Sequence, residues 1–493
     1  MAPANLRKQV LWFVVGIPLL YLIFLYPEYQ PPIPSPLQQR AFVWDQDSQW
    51  KALEAQFVKL RPGGCEGLGD QLDEHLVHAR DLITQAIGQQ LTPEAPLFQD
   101  LESTLFGLAP MVAVCTERAP EYIGLVAWMR SVIKDQSLRW DLSSPATRSR
   151  LYRLLYGGRA ACEEVLLQMP RSEIPPLTPG DDEPSQTPSA SILGMTVHSG
   201  DILVSRGGVP ISALIARGND YPGNFSHVAL VYVDESTNVP VLLESHIERG
   251  GTISSVKEYL ADRKLRIMVL RLRSDLPAMV ADPMLPHKAA GAMLAKLRGG
   301  HVPYDFAMDF RDTSSMFCSE IVSTAYQPKG VTLWMGLSNI SNPGVIAWLA
   351  DFGVRHFETQ EPSDLEYDPQ LRVVSEWRSA DSLLQDHVDN AILESLLEGA
   401  ELGERMRHAW YLLPISRLVK LYSVSLNAFG KVGPIPEGMS ATAALRHVWL
   451  VRKHDSMNER IQRMVNDFKT AEGYSPPYWE LLAMARKAKQ QEE

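Results

Sequence analysis

The chain has 493 residues, too many for one ordinary domain. Its 45% hydrophobic and 21% charged residues form a globular balance able to bury large cores. A net charge of −11, with no Lys/Arg block set against it, excludes a phosphate-neutralising nucleic-acid surface.

The first predicted element faces a membrane. Residues 10–26 (VLWFVVGIPLLYLIFLY) carry no charge. At about 1.5 Å rise per residue such a run comes close to the roughly 30 Å hydrocarbon core. Arg7 and Lys8 precede it and Glu28 follows it. Positive charge stays inside, so residues 1–9 are expected in the cytoplasm and the bulk of the chain beyond the inner membrane. The stretch YPEYQPPIPSP offers no small-x-small cleavage site, so the run is expected to persist as a transmembrane signal anchor. Residues 27–39 predict a stiff Pro-rich spacer.

Apolar residues at three- and four-residue spacing predict a helical domain over 40–170. It carries Cys65, Cys115 and Cys162; two of these can pair in an oxidising compartment, or all three can be buried thiols. Residues 171–194, rich in Pro, Ser, Thr and acids, predict a disordered linker. The texture then turns to short β runs (GDILVSRG, HVALVYVD, PVLLESH, RIMVLRLR), which predict an α+β domain over 195–380. Residues 381–493 read as helical again, with WYLLPISRLVKLYS (410–423) expected as a packed core helix rather than a membrane face.

Chemistry concentrates in the α+β domain. Cys318 lies in TSSMFCSEIVSTAY, where Ser and Thr can cap a helix whose first turn would hold the sulfur. Backbone N–H groups there favour thiolate, the attacking form of cysteine. His227 opens a strand after the loop NDYPGNFS and is the candidate base; a single strand histidine is more often a surface or core residue. A hairpin through DESTNVP would bring Glu244 beside it as the group that fixes its tautomer, with His246 as the substitute. His356, downstream of Cys318, is the rival base for an unpermuted order. Neither HExxH nor CxxC occurs in this domain, so no metal or other cofactor is expected; Asp305, Asp309 and Asp312 are expected in a solvated loop.

The segment LRGGHVPYDFAMDFRDTSSMFCSEIVSTAYQPKGV resembles the nucleophile segment of NlpC-type cysteine hydrolases. FSHVALVYVDESTNVPVLLESHIERGGTISSVKEYL is similar to that family's His strand and its successor. The His segment comes first here, the order of the circularly permuted branch of YiiX-like amidases or peptidases and, more distantly, of the lecithin:retinol acyltransferase group. GDILVSRGGVPISALIARGNDYPGNFSHVALV and EPSDLEYDPQLRVV resemble the opening and closing segments of the YiiX-like branch. This implies a circularly permuted papain-like (NlpC-type) fold flanked by helical regions. It also implies Cys318 as nucleophile, His227 as base and Glu244 at the orienting position. Tyr304 matches the family's active-site tyrosine, with Ser319 and Ser226 as further oxyanion or cleft candidates. Glu320 is read as structural.

Resemblance and anchor together imply a membrane-anchored cysteine hydrolase outside the cytoplasm, cleaving an amide in an envelope peptide such as a peptidoglycan stem. Lipid-linked substrates (thioesterase, deacylase or acyltransferase chemistry) and a non-catalytic envelope scaffold are the alternatives. Protein partners would dock through the helical regions.

Overall fold

The computed structural model describes residues 16–26, 28, 32–33, 40–44 and 46–491. The N-terminal unit is helical: α1 (Ile17–Phe24), α2 (Asp47–Leu60), α3 (Gly69–Ile87), α4 (Pro96–Val114), α5 (Ala119–Ser137), α6 (Pro145–Leu151) and α7 (Gly157–Gln168). In α3 the buried Leu72, Leu76, Ala79, Ile83 and Ala86 recur every three or four residues, so one stripe meets the bundle core.

Among the described residues no helix is long and apolar enough to cross a membrane. The predicted anchor is seen only from residue 16 onward, as α1; its first part, the predicted cytoplasmic tail and most of the spacer lie outside the described residues. Cys65 and Cys115 form a disulfide, whereas Cys162 and Cys318 are free thiols. The bridge spans a sequence separation of 50, and closing such a loop in the unfolded chain is worth about 4 kcal/mol. Reductant is therefore expected to lower the denaturation midpoint by a corresponding amount, read by circular dichroism with and without dithiothreitol.

The strands are β1 (Leu177–Pro179), β2 (Ser189–Ile192), β3 (Met195–His198), β4 (Ile202–Gly207), β5 (His227–Val233), β6 (Pro240–His246), β7 (Gly250–Ser255), β8 (Lys264–Leu272), β9 (Ser338–Asn339), β10 (Glu358–Thr359) and β11 (Leu371–Arg378). Seven of them form one antiparallel sheet in the order β1-β11-β8-β4-β5-β6-β7. The linker expectation is corrected here. Residues 171–194 hold β1, which pairs with β11, and β2, which pairs with β3. Backbone pairing to an open edge outweighed a composition that lacks apolar runs.

Helices α8 (Pro210–Arg217), α9 (Val256–Ala261), α10 (Pro277–Ala281), α11 (Leu285–Gly299) and α12 (Glu320–Tyr326) lie around the sheet, and α13 (Pro343–Phe352) packs on the C-terminal helices. Side chains alternate along each strand. Val204, Val228, Leu230 and Leu243 therefore meet Ile321 and Val322 of α12 and Ala290 and Met293 of α11 on one face. Leu203, Ala229, Val231 and Leu242 meet Ile192, Val197 and Tyr259 on the other.

The C-terminal region is helical as expected: α14 (Leu383–Glu401), α15 (Leu413–Ala428), α16 (Ala441–Glu472) and α17 (Tyr478–Gln490). The expectation for 410–423 is reversed, because most of the large apolar side chains of that segment face outward. A buried ionic network joins all three regions. Glu163 on α7 meets Arg266 of β8 at 3.1 Å and His387 of α14 at 3.0 Å. Arg159 makes a two-pronged contact with Glu366 at 2.9 and 2.8 Å, and Arg266 reaches Asp386 at 2.7 Å.

Candidate active site

The site is built where β5 and β6 begin and end. Ser363 accepts from the Phe225 N–H at 3.0 Å, and the Ser226 N–H donates to the Ser205 carbonyl at 2.9 Å, so the loop ahead of β5 is fixed. His227 then opens the strand with its ring on the face of Ala229, which is paired with Glu244. Its Nε2 lies 2.8 Å from Glu244 Oε2, and His246 Nε2 lies 2.9 Å from Glu244 Oε1. Glu244 is thus a fully buried carboxylate held between two imidazoles whose ring centroids are 5.2 Å apart. Burial alone would raise its pKa, but the hydrogen bonds from His227 and His246 prevail and hold it well below the usual carboxylate range. Burial lowers the His227 pKa, and the bond to Glu244 only partly offsets this, so the ring is neutral near pH 7.

The cysteine arrives from the other side of the sheet. Ser245, pointing away from Glu244 on the same strand, donates to the Met316 carbonyl at 2.6 Å. The Met316 N–H donates to the Pro303 carbonyl at 2.9 Å, and the Phe317 N–H to Glu320 Oε2 at 2.8 Å. The helix itself begins at Glu320, so Cys318 precedes α12 instead of occupying its first turn. That corrects the expectation of a dipole-stabilised thiolate. Burial pushes the Cys318 thiol up to about 12, against the opposing pull of N–H groups on Val228 and Ser319. The Val228 N–H, next to His227 in the chain, is thus among the groups acting on the sulfur.

Tyr304 is an electrostatic neighbour of Cys318, with its ring 5.0 Å from that of Phe306. Gly250 allows this: at φ 69° it takes a left-handed turn, and a Cβ there would meet the Val302 carbonyl at 2.1 Å. Ser319 is buried against the sulfur, and Ser226 is buried with its hydroxyl unpartnered. His356 is partly exposed and faces Asp309 at 3.7 Å. Asp305 departs from the solvated-loop expectation: it is buried and accepts from the Ala307 and Asp309 N–H groups at 2.8 and 2.6 Å.

Two acids near the thiol complete the surroundings. Glu361, which sequence reasoning passed over, is buried and acts on both Cys318 and Tyr304. Its position at the head of EPSDLEYDP was the available signal. Burial, then the charge of Asp364, raises its pKa to about 8; burial raises that of Glu320 to about 9. Both carboxyls hold their protons in the fold well above the ordinary 4.5. The stability this gives is full below about pH 4.5 and is lost as pH rises through the folded values. Thermal melts between about pH 5 and 9 are expected to show wild type losing stability on the alkaline side, and the E320Q/E361Q protein losing less.

His227, Glu244 and His246 also form a group whose ligand atoms lie within 4.8 Å of one another, close enough to hold a metal ion.

A histidine heads one strand, an acid lies on the next, and a later cysteine leads into a helix packed on the same sheet, the chain order expected from the resemblance to the permuted branch. Residues 196–375 match the family described as permuted papain-like amidase enzymes, YaeF/YiiX, C92 family. A crystal structure of the metalloprotein yiiX from Escherichia coli O157:H7 is similar at 18% identity, over 36% of this chain and 97% of that one, with a TM-score of 0.29. No match is found among curated proteins.

Proposed function

We propose that the chain is a membrane-anchored cysteine amidase or peptidase acting on an envelope peptide, with a peptidoglycan stem as the leading substrate class. The observation that carries this reading is the 2.8 Å contact of His227 Nε2 with the buried Glu244, on a strand whose next residue, Val228, offers an N–H to the Cys318 sulfur. Nε2 being taken, Nδ1 of His227 accepts the thiol proton. The sulfur attacks the amide carbon and the oxygen becomes an oxyanion, which N–H groups at Cys318 and the Tyr304 hydroxyl stabilise. Protonated His227 then gives its proton to the departing amine, leaving a thioester. Water opens that thioester and regenerates the thiol. The disulfide between Cys65 and Cys115 supports an oxidising, extracytoplasmic setting for the bulk of the chain.

The test offers the protein muropeptides and acylated phospholipid in parallel and identifies products by mass spectrometry. New amine and carboxyl termini from muropeptides are expected. Fatty acid alone would move the assignment to lipid deacylation, and no product from either would favour a scaffold. A second reading takes His227, Glu244 and His246 as a metal site. Wild-type activity that survives exhaustive chelation excludes a metal requirement, and activity that is lost and restored by zinc favours one.

A further inference from the structure

Residues 405–431 (RMRHAWYLLPISRLVKLYSVSLNAFGK) contain five cations and no acid, in a chain whose net charge is −11. Their helix, α15, docks by a narrow face. Leu413, Pro414, Ser416 and Ser423 are buried, and the Ser416 hydroxyl donates to the Ala441 carbonyl at the head of α16 at 2.9 Å. The broad face is open and apolar: Ile415 is 55% exposed, Leu418 53%, Leu421 57% and Tyr422 59%. Trp410 and Tyr411 stand exposed ahead of the helix and Phe429 beyond it. A contiguous apolar surface of this kind marks an interaction site.

Its neighbour identifies the occupant. Helix α1 lies against α15: the Tyr21 hydroxyl donates to the Tyr411 carbonyl at 2.5 Å. Arg417 caps the far end of α1, donating to the carbonyls of Phe24 at 2.8 Å and Tyr26 at 2.7 Å. Leu19, Leu20, Leu22 and Ile23 of α1 are each at least half exposed. Two adjacent helices thus present apolar side chains, with arginine and lysine among them and aromatic residues at the ends. Basic, apolar and aromatic residues so combined suit the headgroup zone of an anionic bilayer.

We propose that α15, with its flanks over residues 405–431, lies in the interfacial plane of an anionic membrane beside the anchor, as a second and lateral attachment. This rests on the anchored reading given above. The exposed cations Arg405, Arg407 and Lys431 meet lipid phosphates, while Arg417 and Lys420 stay on backbone carbonyls and the exposed apolar face enters the acyl boundary.

The test places the full chain in nanodiscs of phosphatidylglycerol and phosphatidylcholine doped with a phospholipid bearing a diazirine on its acyl chain. After irradiation, lipid adducts are mapped by peptide mass spectrometry. Adducts are expected within 410–432 as well as within 10–26. Replacing the anionic lipid by phosphatidylcholine, or introducing L418E/L421E, is expected to reduce the α15 adducts at least fivefold and to leave those in 10–26 unchanged. Adducts confined to 10–26 would overturn the proposal while sparing the anchor, and a dimer in the same preparation would assign the face to a second copy. Adducts on α15 without any in 10–26 would support the attachment and remove the anchor. Absence of both overturns both.

Discussion

Cys318→Ala is expected to fold as the wild type does and to lose amide hydrolysis by on the order of 10⁴-fold or more, the loss that follows removal of a covalent nucleophile. The thiol fills a buried position, and alanine leaves only a small void there. Because burial holds the thiol up to about 12, the resting sulfur is neutral and attack requires a base at hand. His227→Ala is accordingly expected to cost about 10²- to 10⁴-fold, as loss of a general base does. Glu244→Gln removes the charge that both imidazoles address and is expected to shift the acid limb of the pH–rate profile. The measurement is kcat/KM on a muropeptide, with circular dichroism to confirm the fold. Retained activity in the Cys318→Ala protein would end the cysteine mechanism, and loss in His356→Ala but not His227→Ala would restore the unpermuted rival.

The second large effect is structural. Glu163→Ala is expected to destabilise the protein by about 3–5 kcal/mol, the usual cost of removing one partner from a buried ionic group. The Glu163 side chain is 1% exposed and faces Arg266, Arg159 and His387 together. Without it Arg266 keeps Asp386 and Arg159 keeps Glu366 as acidic partners, and His387 loses the bond that raises its pKa against the effect of burial. Since Arg159 lies on α7, Arg266 on β8 and His387 on α14, the loss is expected to loosen all three regions at once. Urea denaturation should show a lowered midpoint, and a change of less than about 1 kcal/mol would show that the network relaxes around the vacancy.

The α+β segment was legible because its strands are short β-rich apolar runs bounded by turn residues and its motifs are local: HVALVYV and the FCSEIV run carry their own composition and punctuation. Glu244 was reachable because a hairpin fixes which residues of two neighbouring strands meet. Glu361 was harder to reach, since its approach to Cys318 depends on a distant return of the chain and only its place at the head of EPSDLEYDP pointed to it. The start of α12 also escaped. Good capping residues stand at 313–315, yet the helix starts only at Glu320, after a turn over Phe317–Glu320, because Met316 is claimed by Pro303 and Ser245. Residues 177–179 failed for a related reason: strand formation there is a response to the free side of β11 and owes nothing to composition.

That short strand has a practical consequence. Residues 196–375, the portion matching the amidase family, begin after β1 and so leave it behind. A protein that began at residue 196 yet kept β11 whole would bare the backbone donors and acceptors of Ser375, Glu376 and Trp377, an invitation to stack with other copies. Shortened versions intended for crystallisation should therefore start no later than Pro176, where a proline-ended stub keeps the border of the sheet closed to strangers.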